Sequence, residues 1–413
     1  MTELVTSFTS TGEKLLHHQE AMENLRNGKG FPISCWIAPT DVCNAKCSFC
    51  SVGERPGDVL PMRIINGFLD QLCPLGLKSV TLSGGGNPLL YKCKETGTDF
   101  NGLCDSIHAR GLEMALITNG MPMVEYPEPP VEYYDTGKIW TATRAEGTPV
   151  MACKRCHWTD GHDLQCRRRT SWKTCRPDVL DYFTWIRISM AGLDHPEKTV
   201  YVPDIHPAKT TLGFSWIMSD SYEEPSHKHG WVSTPEDVRT PLANRKVVYA
   251  MDRLPWIEGM IRYYVEKHCP AYVRLLCNCL QPDLIPERHR ILSEMAARID
   301  LDRVFSQSKP PRQPRRACAK VYTRPCLNAC GTVFCCDSVV LNKTAGHKFG
   351  SQWGVCRWDE VGKLFAEPIR KVIPDNICPG CVFPDQVDFI GDVIDGMPLP
   401  TPGFPQPQHV NFV

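Results

Sequence analysis

Three cysteines stand at C-x3-C-x2-C spacing on one short stretch, Asp41-Val-Cys-Asn-Ala-Lys-Cys-Ser-Phe-Cys50. With 22 cysteines in 413 residues, chance would place such a triplet only ~0.06 times, so another explanation is needed. Three thiolates on one loop suit iron better than zinc. Structural zinc takes four protein ligands, whereas a four-iron cluster held by Cys43, Cys47 and Cys50 keeps one iron open to a non-protein ligand. That open iron is where bond-breaking chemistry could occur. A ferredoxin-like electron carrier and a zinc site completed from elsewhere in the chain are the alternatives that spacing alone leaves.

Two further stretches bear on that choice. Ser79-Val-Thr-Leu-Ser-Gly-Gly-Gly-Asn-Pro88 reads as a short β-branched strand running into glycines, which allow a backbone to come close to a ligand. Leu116-Ile-Thr-Asn-Gly120 ends another strand. With Phe49 directly before the last cysteine, this order of motifs resembles the radical S-adenosylmethionine superfamily. Its signature is C-x3-C-x-aromatic-C, followed by a glycine-rich strand end and a third-strand ending.

The resemblance implies a [4Fe-4S] cluster on Cys43, Cys47 and Cys50 whose open iron chelates the methionine part of S-adenosylmethionine. It implies that Phe49 lies near the adenine and that the backbone of Gly84, Gly85 and Gly86 meets the cofactor's amino group. Asn119 is carried over from the third-strand ending. Asn87 stands where the family often has Glu, so its side-chain role is the point at which this chain departs from the pattern. The implied reaction is reductive cleavage to a 5'-deoxyadenosyl radical, which abstracts hydrogen from the substrate. The implied electron donor is a reductase such as flavodoxin or ferredoxin.

The elements that must position these residues alternate. Strands expected at 34–38, 79–82, 112–117, 185–190, 211–218 and 272–276 are separated by helical stretches near 61–72, 104–109, 256–267 and 286–299. This pattern predicts βαβ units and a parallel sheet. The fold class expected is α/β, a partial (β/α)6 TIM-like barrel with a Cys-rich insertion and a small C-terminal Cys-rich auxiliary domain. In such a barrel the cysteine loop, following the first strand, lies at the functional end. On the fourth strand Arg187 and Ser189 alternate with apolar neighbours and are expected to face the interior, where the resemblance gives them a part in cofactor binding. A solvated strand face is the alternative.

The segment boundaries expected are 1–33 for an N-terminal helical extension, 34–305 for the barrel and 121–184 for the insertion. An auxiliary domain follows at 306–390 and a Pro-rich tail, extended over the surface or disordered, at 391–413. The insertion holds Cys153-Lys-Arg-Cys156, then Cys166 and Cys175, among basic residues. A C-x2-C knuckle followed by two cysteines is similar to a zinc ribbon, and reduced thiols in a loop are the alternative. Cys277 and Cys279 are expected to be buried thiols.

In the C-terminal region Cys318, Gly331-x4-Cys336 and Cys378-x2-Cys381 resemble the auxiliary-cluster domain called SPASM, or its shorter twitch form. Cys318, Cys336, Cys378 and Cys381 would hold one auxiliary iron–sulfur cluster, with zinc the alternative metal. Cys326, Cys330, Cys335 and Cys356 stay candidates for an exchange or for a second site.

The chain carries 46 basic and 46 acidic residues. Nothing global points to nucleic acid or an anionic membrane. Without an apolar leader or an uncharged run of about 18 apolar residues, a cytoplasmic protein with no membrane partner is expected. The substrate expected is a peptide, a protein or a small molecule that is oxidised or cross-linked. A nucleic-acid substrate met by the insertion's basic residues is one alternative, and a non-catalytic iron–sulfur or zinc protein that carries electrons or binds nucleic acid is the other.

Overall fold

The computed structural model describes residues 3–9, 12–44, 50, 57–120, 132–135, 139–143, 149–153, 175–190, 202–203, 205–219, 221–222, 247–248, 250–278, 282–337, 354–370 and 381–413. Ten strands form one sheet: β1 (Ser34–Ile37), β2 (Ser79–Leu82), β3 (Glu113–Thr118), β4 (Phe183–Ser189), β5 (Thr211–Met218), β6 (Tyr272–Cys277), β7 (Val304–Gln307), β8 (Cys326–Leu327), β9 (Thr332–Phe334) and β10 (Cys356–Arg357). Their order across the sheet is β7-β6-β5-β4-β3-β2-β1-β8-β9-β10.

From β7 to β8 every neighbouring pair is parallel, in the sequential order that βαβ crossovers produce. All four residues of β1 and of β2 are buried, as expected for parallel strands covered on both faces. The helix Met62–Leu72 covers one face through Ile65, Phe68, Leu69 and Leu72, spaced at i, i+3, i+4 and i+7. Helices Phe100–His108, Leu254–His268 and Ile285–Ile299 follow where helical stretches are expected. Asp99 starts the first of these by accepting a hydrogen bond from the Gly102 amide at 3.2 Å.

The six expected strands are present and adjacent, in the fold class anticipated. Three features depart from the sequence reading. The sheet does not stop after Ile285–Ile299, because Val304–Gln307 adds a seventh parallel strand beside β6. With four residues it is too short to carry a recognisable period. The C-terminal region also enters the same sheet. Trp36 and Ile37 of β1 pair in parallel with Cys326 and Leu327, and β8 continues into the antiparallel strands β9 and β10.

The largest departure concerns the end of the tail. Most of 397–406 is exposed as expected, but His409, Val410, Phe412 and Val413 are buried. The prolines up to Pro407 keep the chain extended, and the alternating apolar residues that follow enter the N-terminal end of the barrel. There Ser79 Oγ donates to the Asn411 carbonyl at 2.7 Å, Asn411 Nδ2 to Glu113 at 2.6 Å and Gln408 Nε2 to Thr211 at 3.2 Å. All three partners are the first residues of their strands. Phe8 closes the same end by stacking on Tyr272 at 4.3 Å and lying 5.6 Å from the His409 ring. Gly213 makes room for that Tyr272 ring, because a Cβ there would lie 2.1 Å from it.

The N-terminal helical extension contains Gly12–Leu15 and Gln19–Arg26, separated where His18 Nε2 meets the Val410 carbonyl at 3.1 Å. Within 121–184 the strands Glu132–Asp135, Ile139–Thr143 and Pro149–Cys153 form an antiparallel sheet. Before the helix Leu254–His268, Ser221–Tyr222 pairs antiparallel with Val247–Val248. No helix among the described residues is long and apolar enough to cross a membrane.

Candidate functional site

The C-terminal ends of β1, β2 and β3 carry the three motifs, and hydrogen bonds join them. Beyond β1 the two feet of the cysteine loop are stitched together. Asp41 N–H donates to the Asp58 carbonyl at 2.8 Å, Leu60 N–H to Pro39 at 2.9 Å and Thr40 Oγ1 to Asp58 at 3.2 Å. The loop between them is thus held at its base.

The glycine run lies against that base. Ser83 N–H donates to Ile37, Gly86 N–H to Thr40 at 2.9 Å and Asn87 N–H to Val42 at 2.8 Å. The contact is too close for side chains. A Cβ on Gly85 would lie 2.2 Å from Asp41 Oδ1, and one on Gly86 would lie 2.1 Å from the Val42 carbonyl oxygen. Gly84 adds a φ of +146°, outside the range most side chains adopt. These glycines therefore have a structural task that the sequence reading did not assign, which is to seat the cysteine loop.

Asn87 resolves the departure noted in the sequence. Its buried side chain donates to Asn119 Oδ1 at 2.6 Å and, more weakly, to Asn44 Oδ1 at 3.4 Å. Asn119 Nδ2 closes the triangle on Asn44 Oδ1 at 2.8 Å. Thr118 Oγ1 and the Leu89 amide donate to Asn87 Oδ1 at 2.9 and 3.3 Å. One amide thus ties the cysteine loop, the glycine run and the end of β3. Asn44 and Thr118 were missed by sequence reasoning. Their signal was adjacency to Cys43 and Asn119, but Asn and Thr at loop ends more often cap turns.

Cys43 and Cys50 are half-buried at this end. Cys47 and Phe49 lie outside the described residues. Among the described residues no three His, Cys, Asp or Glu side chains form a metal-binding group. The donor set still fits an iron–sulfur cluster, since two of the three thiols stand on the stitched loop and are partly accessible, as ligands of an exogenous group must be. Arg187 on β4 lines the barrel cavity, with its Nε buried and without a partner. Ser189 shares its side of the strand but is not among the cavity residues.

In the C-terminal region a hairpin from β8 to β9, turning at Gly331, delivers Cys335 and Cys336. Cys318 hydrogen-bonds with Cys335, which pulls its thiol down to about 7 against the opposing effect of burial; Lys320 assists. Burial pushes Cys326 up to about 12. Cys381 joins the group through an antiparallel bridge to Arg312 and packs in one apolar cluster with Cys318. Phe383 N–H donates to its sulfur at 3.3 Å, a contact of the kind that tunes a thiolate ligand. Cys335, left as a candidate for exchange by the sequence, lies beside Cys318 together with Cys336. Cys378 lies outside the described residues.

Of the insertion's cysteines, Cys156 and Cys166 also lie outside the described residues. Cys153 ends a strand. Cys175 packs against the barrel core with Cys104 nearby, and burial pushes its thiol up to about 12. Cys277 is half-buried and donates to the Ile285 carbonyl at 3.7 Å, as a buried thiol would. Cys279 lies outside the described residues.

No family model matches the chain, and no curated protein does. Solved structures show a distant likeness. SuiB of Streptococcus suis bound to its precursor peptide SuiA is 11% identical, over 88% of this chain and 80% of its own, with a TM-score of 0.41. anSMEcpe with bound AdoMet and the Kp18Cys peptide is 10% identical, over 88% and 84%, with a TM-score of 0.42. BtrN in complex with AdoMet and 2-DOIA is 11% identical, over 82% and 89%, with a TM-score of 0.28. Likeness at this level transfers no activity, and the functional reading rests on the residues described above.

Proposed function

We propose that this chain is a radical S-adenosylmethionine enzyme whose Cys43, Cys47 and Cys50 hold a [4Fe-4S] cluster. The observation that carries the reading is the convergence of three motifs, whose joined asparagines lie 32, 43 and 75 positions apart, on one hydrogen-bonded unit at the C-terminal end of a parallel barrel. A non-catalytic electron carrier needs the cysteines but has no use for the other two motifs.

The bound cluster and S-adenosylmethionine supply reductive C–S cleavage and, from it, abstraction of a substrate hydrogen. The chain's own residues position and protect that chemistry. Gly84, Gly85 and Gly86 seat the cysteine loop, and their backbone is the surface offered to the cofactor's amino group. The triangle of Asn44, Asn87 and Asn119 keeps the strand ends in register. Arg187 is the candidate for the cofactor's carboxylate. Phe8 and the residues around Phe412 close the opposite end.

In the C-terminal region Cys318, Cys381 and Cys378, with Cys335 or Cys336, would hold an auxiliary iron–sulfur cluster able to accept an electron from the substrate. The net reaction on that reading is oxidation or cross-linking of a peptide, protein or small molecule, with flavodoxin or ferredoxin as reductant. Cys153 and Cys156 remain the candidate zinc ligands of the insertion, with Cys166 and Cys175 as further candidates. The cluster assignment is tested by electron paramagnetic resonance of the anaerobically reconstituted, dithionite-reduced protein. S-adenosylmethionine should shift the signal of a site-differentiated cluster. A signal unchanged by the cofactor at saturating concentration would oppose the assignment.

A further inference from the structure

A cavity of about 150 Å³ occupies the barrel interior, with room for on the order of ten waters. It is lined from the strands by Arg187 and Arg274, from the N-terminal segment by Lys14, and from the C-terminal region by Lys309 and Arg324. Against these five cations stands one side-chain carboxylate, Asp337. The chain as a whole balances 46 basic with 46 acidic residues, so the imbalance is local to the cavity.

Partners among the described residues do not balance the cations: the single carboxylate of Asp337 acts on Arg274, Lys309 and Arg324, and it faces Lys320 as well. Among the described residues no salt bridge reaches any of the five. Arg187 Nε and Arg274 Nε are buried and unpartnered, and Asp337 Oδ1 is likewise unpartnered. Arg274 Nη1 donates only to the neutral Gln307 at 3.3 Å, Lys14 Nζ only to the Phe412 carbonyl at 3.4 Å, and Lys309 Nζ lies 4.7 Å from the Phe383 ring centre. Burial, reinforced by neighbouring cations, holds Lys14 and Lys309 down to about 7 and Arg274 down to about 9. Buried charges of one sign without partners are costly, and a site that keeps them is built for a counter-charge.

The cofactor does not balance them: S-adenosylmethionine brings one carboxylate, for which Arg187 is the candidate, but also an ammonium and a sulfonium, so it adds net positive charge. An auxiliary cluster on thiolates is anionic and would act on Lys320, Lys309 and Arg324, which lie on the cysteine side, but Lys14, Arg187 and Arg274 line the barrel side, beyond those cysteines.

We propose that this cavity binds a dianionic oxyanion group of the substrate, a phosphate monoester or a pair of carboxylates, with Arg274 and Lys309 as its main ligands. This rests on the radical reading for the reaction performed beside the anion, while the binding site stands on its own geometry. Arg274 supplies the planar, directional donors suited to an oxyanion and Lys309 a compact charge.

The test uses the full-length, anaerobically reconstituted protein without S-adenosylmethionine. Inorganic phosphate and malonate are titrated calorimetrically at constant ionic strength, with choline as the cationic control. One of the two anions should bind saturably at one site, and the tighter of the two identifies the source of the charge. Arg274→Met and Lys309→Met should each weaken that binding at least tenfold. They should also raise the anion-free melting temperature, because each removes an unpaired buried cation. Saturable binding of neither anion, binding unchanged in both variants, or melting temperatures that fall because the cations are structural would each overturn the proposal. Formation of 5'-deoxyadenosine by the wild type is measured separately. A protein that forms it but binds neither anion refutes the anion site alone, whereas one that binds an anion but forms none refutes the radical reading alone.

Discussion

The two ends of the barrel are built on different principles. At the C-terminal end, backbone hydrogen bonds and a triangle of asparagines hold three loops that bury little apolar surface of their own. At the N-terminal end, Phe8, Tyr272, Val410, Phe412 and Val413 close the barrel mainly by burial. Directional bonds fix where atoms sit, whereas burial supplies most of the stability but little geometric precision. The comparison teaches that damage to one end should appear chiefly in activity and damage to the other chiefly in folding.

Deleting residues 408–413 is the largest test of that division. It removes three buried apolar side chains, each contributing about 1.5–3 kcal/mol, and so costs on the order of 5 kcal/mol, comparable with the net stability of an ordinary domain. Thermal melting should show a loosened or unfolded protein. Retention of the wild-type melting temperature would contradict the plug.

Gly86→Ala attacks the other end. Its Cβ would meet the Val42 carbonyl, so the cysteine loop must shift, with an expected loss of roughly 2–3 kcal/mol from overpacking and a larger proportional loss of cluster occupancy, read as iron per chain. Asn87→Ala should cost about 2 kcal/mol, since it removes the acceptor of the Thr118 hydroxyl and the donor to Asn119 Oδ1. It should lower S-adenosylmethionine affinity more than it lowers melting temperature. Equal effects of Gly86→Ala and the tail deletion on both readouts would erase the distinction between the ends.

The N-terminal end also carries a pH signature. Burial, aided by Lys14, holds His409 down to about 3, and its ring nitrogens are unpartnered. The folded-state value lies below the ordinary 6.5, so the unfolded chain binds the proton more readily. This contribution to stability is complete above about pH 6.5 and is lost as pH falls towards 3, by about 2 kcal/mol at pH 5. Chemical denaturation at pH 7 and pH 5 should show that loss, and His409→Leu should reduce it. An unchanged pH dependence in the variant would assign acid sensitivity elsewhere. The smallest effect is expected at the exposed Arg63–Glu95 pair, 3.2 Å apart, where Arg63→Ala should alter stability by less than about 0.5 kcal/mol and leave cluster loading intact.

The same contrast explains what could be read from the sequence. The six strands and the motifs after the first three were legible because apolar periodicity, cysteine spacing and glycine clusters are local patterns. Asn87 was visible as a departure but not as a junction, since its partners lie 43 and 32 residues away. The proline-rich lead of the tail is exposed as read, but its last residues were not seen to turn inward. The contact that buries them joins Asn411 to Ser79 across 332 positions. The cations of the cavity were equally hidden, because Lys14, Arg274 and Lys309 meet only after the sheet curls and the C-terminal region completes its wall. In the auxiliary region the choice between Cys335 and Cys336 depends on which thiol faces Cys318, a question of side-chain direction that spacing does not decide.

The central claim is tested most directly by anaerobic incubation of the iron- and sulfide-reconstituted protein with dithionite and S-adenosylmethionine, with 5'-deoxyadenosine quantified beside the Cys47→Ala variant. The account predicts product from the wild type and none from the variant, which should still retain iron in its C-terminal region. Equal product from the variant, or none from a wild type whose cluster is fully loaded and has the cofactor bound, would contradict it.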